Sequence, residues 1–476
     1  MTKIFFFFLL IISSSSIRGN PSELPTFGDR LSGTISIEKE RKLGQQFLRS
    51  LRAQAPILDD PILQDYLEHL IYRLAVHSEL EDKRIDLVLI KNQNINAFAA
   101  PGGIIGLHHG LFLYGETEHE LSAILSHELA HLSQRHFARR LDESKKNSVI
   151  SLAGFLASII LAATASGDAA MAAITSTQGL AQSKTLRYSR DREAEADRVG
   201  IETLALAGMD PKAMALMFER LQRSSRYMGL NKVPEFLRTH PVTKSRIADS
   251  YNQAMKYPEE KPSLRLNYQL MRSRVRAITA IDRSEELTRF EILAKSSVHE
   301  IEIAGKYGLV LVNTKENQNS EALSILRELI KKYPLNINFR IAEAEIYESL
   351  NELEMSQKTL AQALETSPGN YPLTVKYAEI LLAAGKPKLA VEELQPLSAS
   401  RPGDLFVWYL LAESYGLARN IPALHEARAK FFSLKGNFEQ AIKQLSYALP
   451  LVTNDFQASA RIRQDMKDII KLKNSR

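Results

Sequence analysis

The stretch Thr117-Glu118-His119-Glu120-Leu121-Ser122-Ala123-Ile124-Leu125-Ser126-His127-Glu128-Leu129-Ala130-His131-Leu132 decides how the rest of the chain reads. Thr117 with Glu120 three residues on makes a capping box, in which each side chain satisfies an early backbone N–H of a helix. Leu121, Ile124, Leu125, Leu129 and Leu132 recur at helical spacing, and the pattern predicts a helix over 117–140. His127 and His131 are four residues apart, so both imidazoles leave one side of the helix and reach one ion. Glu128, beside them, is placed to take a proton from an attacking water. An H-E-x-x-H also arises by chance on amphipathic helices, so its weight depends on what accompanies it.

Catalytic zinc takes three protein ligands and leaves a fourth position open. A histidine six residues after His131 would complete one type of protease site, but Phe137 stands there. His136, about 140° round a continued helix from His131, is assigned to a basic outer face. The third ligand is therefore expected from a carboxylate on another helix. Glu193 and Glu195 are the candidates, within Tyr188-Ser189-Arg190-Asp191-Arg192-Glu193-Ala194-Glu195-Ala196-Asp197-Arg198. Glu193 shares a helix face with Asp197, while Glu195 points the opposite way. Glu193 is taken as the ligand. Asp197 orients His131 or the water, or assists the leaving amine; its alternative is a salt bridge with Arg198 or Lys184. The alanines of this segment let a neighbouring helix approach. His240, in Thr239-His240-Pro241, either fills the open metal position, hydrogen-bonds the transition-state oxyanion, or merely starts a helix.

Ahead of the H-E-x-x-H helix, helices are expected from about Ser36 to Arg52 and from Asp60-Pro61 onward. Ile85–Ile90 reads as a strand. Asn96-Ala97-Phe98-Ala99-Ala100 and Ile104–Leu107 read as two strands around a Pro-Gly turn. Asn96, Ala97, Phe98 and Ala99 form either an ordinary hairpin strand or one that pairs with an extended peptide. Ser148–Ala165 carries no charge and reads as a buried helix or an apolar flap, at the short limit for a membrane span.

Lys3, the apolar run Ile4–Ile12 and the serines after it describe a signal peptide over 1–19. The chain has no cysteine, which excludes disulfides, thiolate nucleophiles and cysteine-ligated zinc. Its 476 residues imply two or three domains. The net charge of +6 comes without an aromatic-interleaved basic stripe, which argues against nucleic-acid binding. Peripheral membrane contact stays open.

A repeat appears after a helical, charged stretch. Pro334, Pro368 and Pro402 lie 34 residues apart, as do Leu326, Leu360 and Leu394, and the small residues Ala322, Ser356 and Ala390. Ala344-Glu345, Ala378-Glu379 and Ala412-Glu413 keep the same period. This is the length of a tetratricopeptide helix–turn–helix unit. About four units are expected over 305–450, with Phe438, Ala441, Ile442 and Leu445 continuing after an apparent insertion. The expected architecture is α+β, mostly α. A zinc metallopeptidase domain with a small sheet (20–262) leads through a helical connector (263–304) to an all-α repeat solenoid with a capping helix (305–476).

His127-Glu128-x-x-His131, Asn96-Ala97-Phe98-Ala99-x-Pro101-Gly102-Gly103, Glu193-x-x-x-Asp197 and Thr239-His240-Pro241 together resemble the zinc metallopeptidases related to the CAAX prenyl protease. The leader and repeats make the chain similar to periplasmic members acting on outer-membrane β-barrel proteins. The resemblance implies one Zn2+ held by His127, His131 and Glu193, with Glu128 as base and Asp197 as proton donor. It implies autoinhibition by His240 at the fourth position. It also implies degradation of misassembled β-barrel proteins, help in assembling others, and docking of the repeats on substrate or on the β-barrel assembly machinery. Ala100 departs from the bulkier residue common there. A chaperone or scaffold with proteolysis held off is the competing expectation.

Overall fold

Two capped helices open the described chain. The Ser36 hydroxyl accepts from the Lys39 N–H at the start of α1 (Ile37–Gln54). The Asp60 carboxylate accepts from Leu63 N–H at the start of α2 (Pro61–Val76), where Pro61 occupies a position that needs no donor. The computed structural model describes residues 35–143, 156–157, 159–160, 190–227, 235–258 and 264–474. The expected signal peptide, most of the apolar run 148–165 and Lys184 lie outside the described residues.

Strands β1 (Asp86–Ile90), β2 (Ala97–Ala100) and β3 (Ile104–His108) form one sheet in the order β1-β3-β2. β3 runs parallel to β1 and antiparallel to β2. Gly102 and Gly103, at φ 76° and 83°, make the turn between β2 and β3 in a region that disfavours side chains. β2 is an edge strand among the described residues, yet all four of its residues are buried.

Short α3 (Gly110–Tyr114) leads into α4 (Glu118–Ser133). Both halves of the Thr117/Glu120 capping box are formed, and Arg220 holds the Glu120 carboxylate at 2.9 Å. Every residue of α4 from Glu118 to His131 is buried. A helix covered on all sides is a core helix, and here α2, β2, α6 (Arg190–Leu206) and α7 (Ala213–Tyr227) surround it. The expected helix over 117–140 is instead two. Arg135 takes φ 48°, and α5 (His136–Glu143) sets off in a new direction. Of the alanines expected to admit a neighbour, Ala196 packs on Ala130, whereas Ala194 is exposed. Gly200 completes the approach, since a Cβ there would lie 3.2 Å from the His127 backbone nitrogen.

α8 (Glu235–Thr239) and α9 (Lys244–Ala254) follow, then α10 (Leu266–Thr279) and α11 (Arg283–Leu293). The charged stretch expected as a connector is helical and packed. Tyr268, Leu270, Met271 and Val275 are buried in one apolar cluster with Leu121, Ile124, Leu125 and Leu129 of α4. Its arginines point to partners: Arg274 reaches Asp60 at 2.9 Å, and Arg272 donates to the Phe112 carbonyl at 3.0 Å.

The remaining helices pair as hairpins: 299–315 with 319–332, 337–349 with 353–366, 371–383 with 387–400, 405–417 with 421–434, and 421–434 in turn with 438–448, after which comes 456–474. Asn317, Asn351, Gly385 and Arg419, at positive φ, turn the first four. After each, the next N–H bonds back five residues, as in Gln318 to Asn313 and Glu352 to Tyr347, both at 2.8 Å. Ala322, Ser356, Ala390, Ala344, Ala378 and Ala412 are buried where the helices meet. Gly436, at φ 72°, makes the same turn before 438–448, with Asn437 N–H bonded to the Phe432 carbonyl at 2.8 Å, so Ala441 and Leu445 take the second-helix places of Ala390 and Leu394 at a spacing of 51 rather than 34 residues, as the insertion expected before Phe438 requires. The solenoid returns to α2, where Arg401 grips Glu68 with two bonds of 2.7 Å and lies over the Tyr371 ring.

Candidate metal centre

The metal helix presents His127 and His131 on the side that faces α6. His127 Nε2 and His131 Nε2 are 3.1 Å apart. Glu193, on α6, places Oε1 3.5 Å from His131 Nε2 and Oε2 3.6 Å from His127 Nε2. His240 follows α8, its N–H bonded to the Phe236 carbonyl at 2.7 Å. Its ring stacks on Phe236. His240 Nδ1 lies 3.3 Å from His127 Nε2 and 2.9 Å from Glu193 Oε1. One ligand atom from each of His127, His131, Glu193 and His240 falls within 4.8 Å of all the others. All four residues are buried.

The spacing fits an ion. Two nitrogens bound about 2.0–2.1 Å from a tetrahedral metal stand about 3.3 Å apart. Two ring nitrogens that close, on rings whose other nitrogens have their own partners, are otherwise a poor contact. The donor set, imidazole and carboxylate without thiolate, suits a borderline divalent ion.

Outer contacts orient the ligands. His127 Nδ1 is 3.0 Å from Asp197 Oδ1. Arg246, on α9, donates to both Asp197 oxygens at 2.7 and 2.8 Å, to Glu193 Oε2 at 2.9 Å, and to the Pro241 carbonyl at 2.9 Å. The structure thus turns Asp197 toward His127, not His131, and Arg246 rather than Arg198 pairs with it. In the sequence Arg246 is a lone cation six residues past a histidine, which carries no metal-site signature.

His136 departs from the expected outer face. It is buried, 2.8 Å from His131 Nδ1 and 3.0 Å from Glu195 Oε2. The left-handed turn at Arg135 swings it back beneath His131, which a continued helix would not do. Glu195 lies outside the four-residue ligand cluster, against His136.

Glu128 is buried beside the cluster, and neither of its oxygens makes a well-formed hydrogen bond. His240 Nε2 stands 3.6 Å from one of them, and the Ala99 backbone of β2 is a further neighbour. Burial pushes the Glu128 carboxyl up, against the pull of His240 and His127. Burial would also raise Glu193, but the His240 ring, then His127 and Arg246, bring it down to about 2. Burial alone would lower His240; Glu193 and Glu128 raise it above its ordinary value. His131 is held well below, by burial and then by the surrounding imidazoles.

The expected substrate strand is in place as a strand. Ala97, Phe98 and Ala99 lie in β2, and Asn96 just precedes it, its carbonyl accepting from His108 N–H at 2.9 Å. β2 packs against α4.

The sequence matches Peptidase family M48 over residues 61–252 and a tetratricopeptide repeat family over 356–414. The beta-barrel assembly-enhancing protease of Escherichia coli K12 is 32% identical over 428 residues, covering 89% of this chain and 86% of that protein. A Vibrio cholerae protein given the same name provisionally is 35% identical over 93% of this chain and 91% of its own length. The mitochondrial metalloendopeptidase OMA1 of Schizosaccharomyces pombe is 28% identical over 47% of this chain and 64% of its own length. These matches make the chain a metallopeptidase with a repeat region, and it belongs to peptidase family M48, among the relatives named beta-barrel assembly-enhancing proteases.

Proposed function

We propose that the chain is a zinc-dependent endopeptidase of the periplasm that degrades misassembled outer-membrane β-barrel proteins and assists the assembly of others. The observation that carries this reading is the buried cluster of His127, His131, Glu193 and His240 with Glu128 buried beside it. The names of the relatives supply the substrate class. Periplasmic placement rests on the leader expected over 1–19 and suits the β-barrel assembly named for the relatives. Among the described residues no helix is long and apolar enough to cross a membrane. The metallopeptidase unit is assigned to 20–262, the helical link to 263–304, and the repeats that bind substrate or the assembly machinery to 305–476.

His127, His131 and Glu193 would hold the zinc. When bound, zinc polarises the scissile carbonyl and brings the pKa of a water toward about 7. Glu128 takes the proton of the attacking water and delivers it to the leaving nitrogen; its raised affinity for protons suits both tasks. Asp197 fixes the tautomer of His127 and is itself fixed by Arg246. The edge of β2 away from β3, unpaired among the described residues, receives the substrate backbone as an added strand and presents its carbonyl along α4.

His240 favours a second, compatible reading. Lying among the ligand atoms, it occupies the place a substrate oxygen needs, so proteolysis is held off until α8 moves. In that state the protein acts as a chaperone or scaffold through its repeats. The test is incubation of an unfolded outer-membrane β-barrel protein with wild type and with Glu128→Gln. Cleavage by wild type alone, with both binding the substrate, is expected; equal cleavage by both contradicts the assignment.

A further inference from the structure

The two histidines of H-E-x-x-H are supported by paths of different length, and the longer path has no assigned role. His131 turns Nε2 toward the ligand cluster and Nδ1 away from it, to within 2.8 Å of His136 Nδ1. His136 Nε2 lies 3.0 Å from Glu195 Oε2. Arg139 Nη1 donates to the same oxygen at 2.8 Å. His131 and His136 are buried, and Glu195 is partly covered.

The protons along this path have one arrangement. A nitrogen that ligates a metal offers its lone pair, so His131 carries its proton on Nδ1. His136 Nδ1 must then accept. That places the His136 proton on Nε2, which donates to the Glu195 carboxylate. Every contact has one donor and one acceptor, and the charge at the end is matched by Arg139. His127 reaches Asp197 directly, with Arg246 behind it. Both paths end on carboxylates of α6, each held by an arginine; only the His131 path contains a second imidazole.

We infer that His136 and Glu195 are positioning residues that hold His131 in its Nε2-ligating orientation. This rests on the metallopeptidase reading of the site. Arg135, at φ 48°, is what makes the arrangement possible, because it returns α5 beneath α4. Without an acceptor at 136, the His131 Nδ1–H is a buried donor with its designed partner removed, and the ring loses its reason to present Nε2.

The test measures metal, not turnover. Zn2+ affinity of the full chain is determined by competition with a chromophoric chelator, and the visible spectrum is recorded for the Co2+ form. His136→Leu is expected to weaken zinc binding about 10–100-fold and to alter the cobalt bands. His136→Asn, which keeps an acceptor near the Nδ1 position, is expected to recover most of that loss. Glu195→Ala releases His136 Nε2 and is expected to weaken binding less than His136→Leu. Should His136→Leu not fold, Glu195→Ala and His136→Asn decide the matter. Wild-type affinity and an unchanged cobalt spectrum in every folded variant would overturn the inference alone. A wild-type chain that takes up neither ion would overturn the metallopeptidase reading and the inference with it.

Discussion

His240 Nδ1 lies 2.9 Å from Glu193 Oε1, inside the cluster formed with His127 and His131. A ring in that place must leave before a substrate carbonyl can enter. A ring that favours the closed site over the open one by about 1.4–2.8 kcal/mol holds the rate down roughly 10–100-fold. His240→Ala should raise the initial rate of proteolysis of an unfolded β-barrel protein by that order. A fall in rate would instead assign His240 to the transition state.

Glu128→Gln keeps the size of the side chain and removes the base. Loss of general-base catalysis costs about 10²–10⁴-fold, so cleavage products should vanish on the gel. Metal content and substrate capture by the variant should match wild type. Loss of metal from this variant would place Glu128 among the ligands.

The same substitution has a stability signature in the metal-free protein. Burial raises the Glu128 carboxyl, so the folded state binds this proton more tightly than the unfolded chain. Stability therefore falls as pH rises from the ordinary carboxyl value through the raised one, and stays lower above it. Glu128→Gln should raise Tm at pH 7 in chelator, and the gain should disappear near pH 4, where wild type is protonated. Differential scanning calorimetry at the two pH values measures this; an equal Tm difference at both would contradict it.

Arg246 holds Glu193 and Asp197 together, and only about a tenth of its side chain is exposed. Arg246→Met leaves two buried carboxylates facing each other. Breaking a buried ion pair this way costs about 3–5 kcal/mol, measurable by urea unfolding. Arg246→Lys should recover only part, because an ammonium cannot bridge both acids as the planar guanidinium does. Full stability in Arg246→Met would remove it from the account.

Much of this was readable because spacing carries it. The capping box at Thr117 and Glu120, the four-residue step from His127 to His131 and the 34-residue period of Ala322, Ser356 and Ala390 are local patterns. Glu193 and Asp197 were paired by helical phase, and the structure brings both to His127. His136 was misplaced because helical phase was extended through Arg135, where the backbone turns left-handed. Arg246 and the contact of Glu195 with His136 leave no local signature, because the groups they hold lie on other elements. The stretch around Tyr268 and Arg274 looked like a charged connector because its arginines conceal an apolar face; their carboxylate and carbonyl partners, Asp60 and Phe112, are far off in sequence.

X-ray absorption at the zinc edge of the purified full-length chain tests the central claim most directly. One zinc per chain is expected, in a shell of nitrogen and oxygen donors, with the outer scattering of three imidazoles in wild type and two in His240→Ala. Glu193→Ala should lose the ion or exchange an oxygen donor for solvent. A metal-free chain, or a zinc shell indifferent to both substitutions, would contradict the account.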